Sequence, residues 1–573
     1  MKPSGVLLPF SVLAFGAVLG LSGACQRSGV TAQTHGASTA TPTPAPPPAP
    51  ARPSLRVYYL VDLDGYLEPC GCNQRPLGGI DRVARVMENE RAEAPRAVLV
   101  ASGNLFFSEP RLEERMIYQE RAKADALTQI LPTLHLAAFA PGPADFAMGP
   151  EAWGRLSRAV HAPALAANAG MRAAELITLD GGVKVAVVGV SDFHTAGGEA
   201  GAGAPESTDP VEAARTAVAN ARTQGATTVV VLASTPRRVA RSIASSVDGV
   251  DFVIAAREEA NTPSVPERIG RAHLLTAPNQ GKFLGVLDLY LRGDGTFQDA
   301  SEASAQAGRT RLDARIAELR ERLTMWEHDP AADQGAVASQ RRRLADLERQ
   351  RAELATPQIP AQGRFFRARS VEVSPDVPKL PTVQELIAAY FRNVNEHNRV
   401  EYASLRAPPA VPGRASYVGI ETCRDCHEEA YDVWAGTPHS HAYRTLEEVS
   451  KNFNLSCVGC HVTGYRQPGG SEVVQNEGLR DVQCESCHGP GSVHANARPA
   501  RRRGTIQLRV PAEFCATQCH TPEHSDHFNY TRYLPRILGP GHGRPPGSGD
   551  GGTASDASAV VPSAPTLDGS VRP

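Results

Sequence analysis

Three stretches of this chain repeat one arrangement of sulfur and imidazole. Cys423, Cys426 and His427 read C-x-x-C-H, as do Cys457, Cys460 and His461, and again Cys484, Cys487 and His488. Cysteines at i and i+3 share a face of a helical turn, so both thiols reach one flat ligand. The histidine that follows places a ring nitrogen beneath that ligand's centre. This is the spacing that haem c needs: two thioethers to the porphyrin and a proximal ligand to iron. A fourth stretch, Cys515, Cys519 and His520, has one residue more between its cysteines. Positions i and i+4 also share a helical face. Three outcomes stand for it: two thioethers, one thioether from Cys519 alone, or no haem. The cofactor expectation is covalent haem c, at least three and with the irregular stretch four.

Pairs of C-x-x-C also hold tetrahedral zinc or close disulfides. Zinc, however, does not require a histidine directly after the second cysteine each time. Residues 416–543 hold eight of the 11 cysteines and ten of the 17 histidines. With His427, His461, His488 and His520 as proximal ligands, His439, His441, His494 and His524 are candidate distal ligands. His527 and His542 are weaker candidates, near the chain's end. Iron with two histidines suits electron transfer, whereas an open sixth position permits ligand chemistry. Two further cysteines, Cys70 and Cys72, flank Gly71 after a candidate strand. They read as a redox pair, as poor metal ligands, or as a small structural or inert loop.

These residues need elements to hold them. At 573 residues the chain is too long for one ordinary core. Lys and Arg number 59 against 61 Asp and Glu, so no basic excess points to nucleic acid. Residues 1–25 read as a lipoprotein signal peptide, with an apolar run over 6–21 and small residues before Cys25, the candidate lipidation site; the alternative is cleavage near Ala24. Residues 26–54 are a Pro/Ala/Thr linker. Over 55–300 apolar β-rich runs at 55–62, 96–103, 134–142, 184–191, 227–234, 250–256 and 284–291 alternate with helical runs, which predicts an α/β domain. Residues 301–400 read as a charged helical hairpin and connector, with a short β segment over 364–372 and a helix over 383–397. After a linker come the cysteine-rich residues 416–543 and a disordered tail, 544–573.

The stretches around the motifs, with Trp434, Gly469, Gly470 and the run Gly489, Pro490, Gly491, resemble the tetrahaem cytochrome c-554 family, known as electron acceptor of hydroxylamine oxidation in nitrifiers. The resemblance covers about 130 residues. It implies a compact, mainly helical fold with closely stacked haems, one of them five-coordinate in that family. Residues 55–292 resemble the 5'-nucleotidase branch of the calcineurin-like metallophosphoesterases. That family uses two metal ions held by Asp, Asn and His. Of its ligand set, Asp62 is kept. Asp64, Asn104, Pro143, Ala144, Ser234 and the stretch from Ala256 through Arg257 stand where other residues are expected, so a phosphatase site is not expected.

The expected fold class is multidomain: an α/β metallophosphoesterase-like layered sandwich, a helical hairpin, and a mainly α multihaem domain. The expected function is electron transfer by an exported multihaem c-type cytochrome, with the nucleotidase-like domain used for docking or ligand binding. Two alternatives stand beside it. One is a haem-based redox enzyme acting on a small nitrogen or sulfur compound; the other is a metal-dependent phosphoesterase with attached haems. The expected partners are redox proteins and, through a lipid anchor, a membrane, with no nucleic acid. The expected location is the periplasm or cell surface of a Gram-negative-type bacterium.

Overall fold

The computed structural model describes residues 52–69, 75–194, 203–256, 265–329, 333–354, 362–521, 524–525 and 528–542. Cys25, Cys70, Cys72, Arg257 and His527 lie outside the described residues, as do the leader, nearly all of the linker and the tail. Among the described residues no helix is long and apolar enough to cross a membrane.

The chain first lays down β1 (Leu55–Val61), β2 (Ala97–Gly103) and β3 (Leu136–Pro141) as parallel neighbours, with α1 (Ile80–Asn89) and α2 (Ile117–Ile130) between them. Helix α3 (Gly149–Ala159) leads into β4 (Ala174–Thr178), β5 (Lys184–Ser191), α4 (Pro210–Thr223), β6 (Ala226–Ser234), α5 (Arg237–Ser246), β7 (Phe252–Ala255), β8 (Glu267–Ile269) and β9 (Ala272–Leu275). These six strands form a second sheet in the order β4-β5-β6-β7-β9-β8. The chain then returns to the first sheet with β10 (Phe283–Arg292), antiparallel to β1. All seven strands expected in this region are present. The shorter β4, β8 and β9 were not foreseen, because runs of three to five residues carry too little alternation to stand out.

Alternation along β1 shows how the layers are made. Leu55, Val57, Tyr59 and Val61 face inward, against Val185, Val187, Val230, Leu232 and Ile254 of the second sheet. Tyr58 and Leu60 face the other way, onto Val83, Leu127 and Ile130 of the helices. Helices α4 and α5 cover the outer face of the second sheet through Val218 and Ile243. Two sheets between two helical layers result, with the central strands β1, β5, β6 and β7 buried on both faces.

The stretch set apart as hairpin and connector divides differently. Helices α6 (Glu302–Glu327) and α7 (Gln334–Glu353) form the expected antiparallel pair around Leu319, Leu323, Val337 and Leu347. Flanking them, β11 (Gln298–Asp299) and β12 (Gly363–Glu372) belong to the first sheet, whose order is β11-β12-β10-β1-β2-β3. Strand β12 pairs with β10 along its whole length, from Phe283 opposite Glu372 to Arg292 opposite Gly363. Helix α8 (Pro381–Glu401) buries Val383, Ile387, Tyr390 and Val394 in the core beneath α1 and α2. The hairpin is therefore an insertion between two strands of one sheet.

Past residue 416 the elements shorten to α9 (Ile420–Arg424), α10 (Glu428–Ala435), α11 (Ala442–Glu447), α12 (Leu455–His461), α13 (Cys484–His488), α14 (Ser492–Asn496), α15 (Ala512–Gln518) and α16 (Tyr530–Tyr533). The apolar core here is small, centred on Tyr443, Leu455, Val458, Val462 and Val473. Helices this short are not stable on their own and need something to pack against.

Candidate functional site

The short helices and the motifs coincide. Helix α12 contains the whole second motif and α13 the whole third. In the first motif, α9 ends just after Cys423 and the turn closes with His427 N–H donating to Cys423 O at 3.0 Å. The irregular fourth motif closes on the same pair of groups: His520 N–H donates to Cys515 O at 2.9 Å. Its extra residue is absorbed at Cys519, which leaves helical geometry at φ −130°. A turn one residue wider thus still carries both cysteines and the histidine. Among the described residues none of the eight cysteines is in a disulfide, and no three His, Cys, Asp or Glu side chains converge to hold a bare metal ion.

The histidines are oriented by what their Nδ1 atoms touch. His461 Nδ1 donates to Ala442 O and His488 Nδ1 to Gln507 O, each at 2.6 Å. A proton held there leaves Nε2 as the bare, metal-binding nitrogen. His494 Nδ1 lies 3.0 Å from Thr505 Oγ1, whose own proton goes to Arg502 O, so the imidazole is again the donor. His441 Nδ1 stands in the same relation to Ser440 Oγ at 2.8 Å, because that hydroxyl donates to Ala435 O and Thr437 O. His520 Nδ1 lies 3.3 Å from Ser525 Oγ, and His524 Nδ1 lies 2.8 Å from Thr521 Oγ1.

Some rings pair. The ring centres of His427 and His494 are 6.2 Å apart, and those of His439 and His520 are 6.4 Å apart. A ligating imidazole nitrogen sits about 2 Å from its metal, so two imidazoles across one iron have ring centres roughly 6 Å apart. Burial, reinforced by the charges of His488 and His427 nearby, holds the His542 pKa below the ordinary imidazole value. Its Nδ1 is buried without a hydrogen-bond partner. Burial, then His520, likewise lowers the pKa of His439. Bare ring nitrogens, paired rings and thiols on the same turns fit haem c.

The motifs also touch one another. The thiol of Cys423 in the first is a close electrostatic neighbour of that of Cys484 in the third. Cys460 of the second is a close electrostatic neighbour of Cys519 of the fourth, and its Sγ lies 3.6 Å from Gln518 O. Cys487 of the third and Cys515 of the fourth are electrostatic neighbours. Glu485, between the cysteines of the third motif, is buried. Its carboxylate accepts from Val418 N at 3.0 Å and Gly419 N at 2.8 Å, and from Gly491 N at 2.7 Å. It thereby caps α9, the helix of the first motif. Nothing in C-x-x-C-H marks this role, since the residues between the cysteines are free to vary in the motif.

The second motif is built against the α/β region. Gln119, buried on α2, accepts from Leu455 N at 3.0 Å and donates to Ser456 Oγ at 2.9 Å, at the first turn of α12. Arg115 pairs with Glu472 at 3.0 Å. Arg115 also lies 3.4 Å from the hydroxyl of Tyr465, whose ring covers Gly459 between Cys457 and Cys460. Met116 and Tyr402 pack on the apolar cluster beneath. Burial pushes the Glu68 carboxyl up, but Lys451 and Lys379 more than offset this and leave it below its usual value. Glu68 follows β1, so this pair is a second tie between the regions.

At the strand ends of the first sheet, the residues do not fit a pair of metal ions. Asp62 Oδ1 accepts from Asn104 N at 3.2 Å, Asp64 Oδ1 from Asn104 Nδ2 at 3.3 Å, and Asn104 Oδ1 from Ala144 N at 3.0 Å. Asp145 is fully buried and accepts from Leu105 N, Phe106 N and Gly142 N. These oxygens are engaged in joining loops. Burial, then the charge of Asp62, raises the Asp64 pKa to about 8.

Several known proteins are similar to parts of this chain. It is 31% identical over 104 residues to cytochrome c-554 of Nitrosomonas europaea, covering 15% of this chain and 44% of that protein. The 5'-nucleotidase precursor of Thermus thermophilus aligns with 64% of this chain and 62% of its own, at 16% identity and a TM-score of 0.40. The calcineurin-like phosphoesterase YfkN of Bacillus subtilis aligns with 61% of this chain and 98% of its own, at 16% identity and a TM-score of 0.42. The chain thus spans less than half of the cytochrome, and the two structural likenesses carry nothing about chemistry. The cysteine-rich region, over residues 422–489, matches the sequence model of the family described as Cytochrome c554 and c-prime.

Proposed function

We propose that this protein is an exported, lipid-anchored periplasmic cytochrome that transfers electrons through four covalently bound haems c. The observation that carries the reading is the pairing of motif histidines with second histidines at 6.2 and 6.4 Å, on turns that also bear the cysteines. Thioethers come from Cys423 and Cys426, Cys457 and Cys460, Cys484 and Cys487, and Cys515 and Cys519. Two irons would be held by His427 with His494 and by His520 with His439, and a third by His488, with His542 as its second histidine. His542, a weaker candidate from the sequence, thus joins His494 and His439 as a second histidine. The cysteine contacts support a haem order of first, third, fourth, second. The chain's own residues fix ring orientation through Ala442, Gln507 and Thr505, and these set ligand basicity and hence potential.

The α/β region serves as a scaffold at the end of this row and does not hydrolyse phosphoesters, since its carboxylates and Asn104 are engaged with one another and with backbone amides. A reductive titration of the purified protein tests the main reading. Four electrons per chain with a haem α-band are expected; uptake of fewer than three contradicts it.

A second reading concerns the second motif alone. His461 has no histidine ring facing it among the described ring contacts and no histidine near enough to move its pKa, whereas His427 and His520 each face one and His488 has His542 in its electrostatic neighbourhood. An open position there would bind a small molecule, as in a redox enzyme for a nitrogen or sulfur compound. Carbon monoxide binding to one haem in four of the reduced protein supports this; no binding excludes it.

A further inference from the structure

Between the third and fourth motifs, residues 486–512 carry Arg498, Arg501, Arg502, Arg503 and Arg509 and no acidic residue, in a chain of net charge −2. Arg502 turns back, its Nε donating to Ala497 O at 3.1 Å. Arg498, Arg501, Arg503 and Arg509 are exposed. Of the seven other Lys and Arg residues between 416 and 543, Arg424, Arg444, Lys451 and Arg480 are each paired with a glutamate. Leu508, among these arginines, is 81% exposed, the most of any large apolar side chain described. Positive charge gathered in one loop repels itself, and a partner of opposite sign relieves it.

The same loop holds two of the ligand histidines. Gln507 accepts from His488 Nδ1 at 2.6 Å and donates its N–H to His488 O at 3.0 Å. Thr505 accepts from His494 Nδ1 at 3.0 Å. Whatever binds the arginines therefore rests against the first and third motifs.

We propose that residues 498–509 form the docking surface for an acidic redox protein, which exchanges electrons with the haems of the first and third motifs; this rests on the haem reading above. The partner presents carboxylates around an apolar centre that receives Leu508. Each encounter moves one electron: the partner's centre is oxidised by one, one ferric iron is reduced to ferrous, and no bond breaks. Anionic lipid would meet the same charges, but a headgroup has no electron to exchange with the histidines this loop positions. Nucleic acid finds no aromatic side chain over 498–510 on which to stack a base.

The test reverses the four exposed arginines together, R498E, R501E, R503E and R509E, in the full exported chain, leaving Arg502, Thr505 and Gln507 untouched. Stopped-flow reduction uses an acidic plant-type ferredoxin as the protein probe and hexaammineruthenium(II) as a small cationic one. With the haem spectrum intact, the second-order rate with ferredoxin at low salt should fall about 10-fold or more, and its salt dependence should flatten. The rate with the ruthenium complex should not fall. An unchanged ferredoxin rate in a fully haem-loaded variant overturns the docking surface and leaves the haem reading standing. Wild-type sedimentation with phosphatidylglycerol vesicles that the four reversals abolish, alongside an unchanged ferredoxin rate, assigns the loop to a membrane and likewise overturns the proposal.

Discussion

Gln119 and Leu455 stand 336 positions apart in sequence, yet the amide oxygen of one accepts the backbone N–H of the other at 3.0 Å. The contact lies at the first turn of the helix that carries Cys457, Cys460 and His461, where backbone N–H groups have no partner within the helix. The α/β region thus supplies a cap to the helix that carries the second motif. Gln119→Ala removes this acceptor and the donor to Ser456, at a cost of about 1–3 kcal/mol. We expect the second haem's reduction potential and spin signature to move while the other three stay. Gln119→Glu, which keeps the acceptor, should restore the potential more than it restores thermal stability. Equal shifts at all four haems would show that Gln119 acts on stability alone.

Glu485 ties the third motif to the first. Replacing it by alanine leaves Val418, Gly419 and Gly491 N–H without their buried acceptor. Loss of charge-assisted hydrogen bonds of this kind costs about 1.5–3 kcal/mol each in favourable cases. The expected result is a lower unfolding midpoint and a broadened signal from the first haem, read by denaturant titration and paramagnetic resonance. Glu485→Gln, which accepts through one oxygen only, should fall between.

Cys515→Ser addresses the irregular motif. Two thioethers in the wild type mean that the variant keeps four haems, one of them now held through Cys519 alone. The pyridine haemochrome band should shift to longer wavelength as one vinyl group is regained. An unshifted band with four haems retained would show that Cys515 forms no thioether.

Asp64 gives the α/β region a dependence on pH. Burial and Asp62 raise its pKa to about 8 in the folded chain, above the ordinary carboxylate value. Between these two values the folded state holds the proton that the unfolded chain has lost. The stabilisation is full below the unfolded pKa and is lost as pH rises through the folded one. Denaturant midpoints followed by far-UV dichroism should decline from about pH 4 to about pH 8 in the wild type and decline less in Asp64→Asn. Parallel declines in the two proteins would remove Asp64 as the cause.

Much of this was legible in the sequence because it is local. A cysteine three residues from another with histidine next in line is a property of one turn, and the strands of the α/β region announce themselves by long apolar runs such as 227–234 and 284–291. What stayed hidden was non-local. Residues 364–372 read as a short β segment with no stated partner, yet β12 completes the first sheet against β10, and only the return of the chain after the hairpin brings it there. Gln119 reads as one polar residue on a helix until Leu455 is folded onto it. That His542, the weaker candidate from sequence, comes near His488 likewise depends on how the last described turn wraps back. The arginine cluster at 501–503 was visible, but the balanced total charge concealed it.

Intact mass of the exported chain, taken with its haemochrome content, tests the central claim most directly. The account predicts four haems per polypeptide that remain attached under denaturing conditions. A polypeptide at its haem-free mass, or one carrying fewer than three, would contradict it.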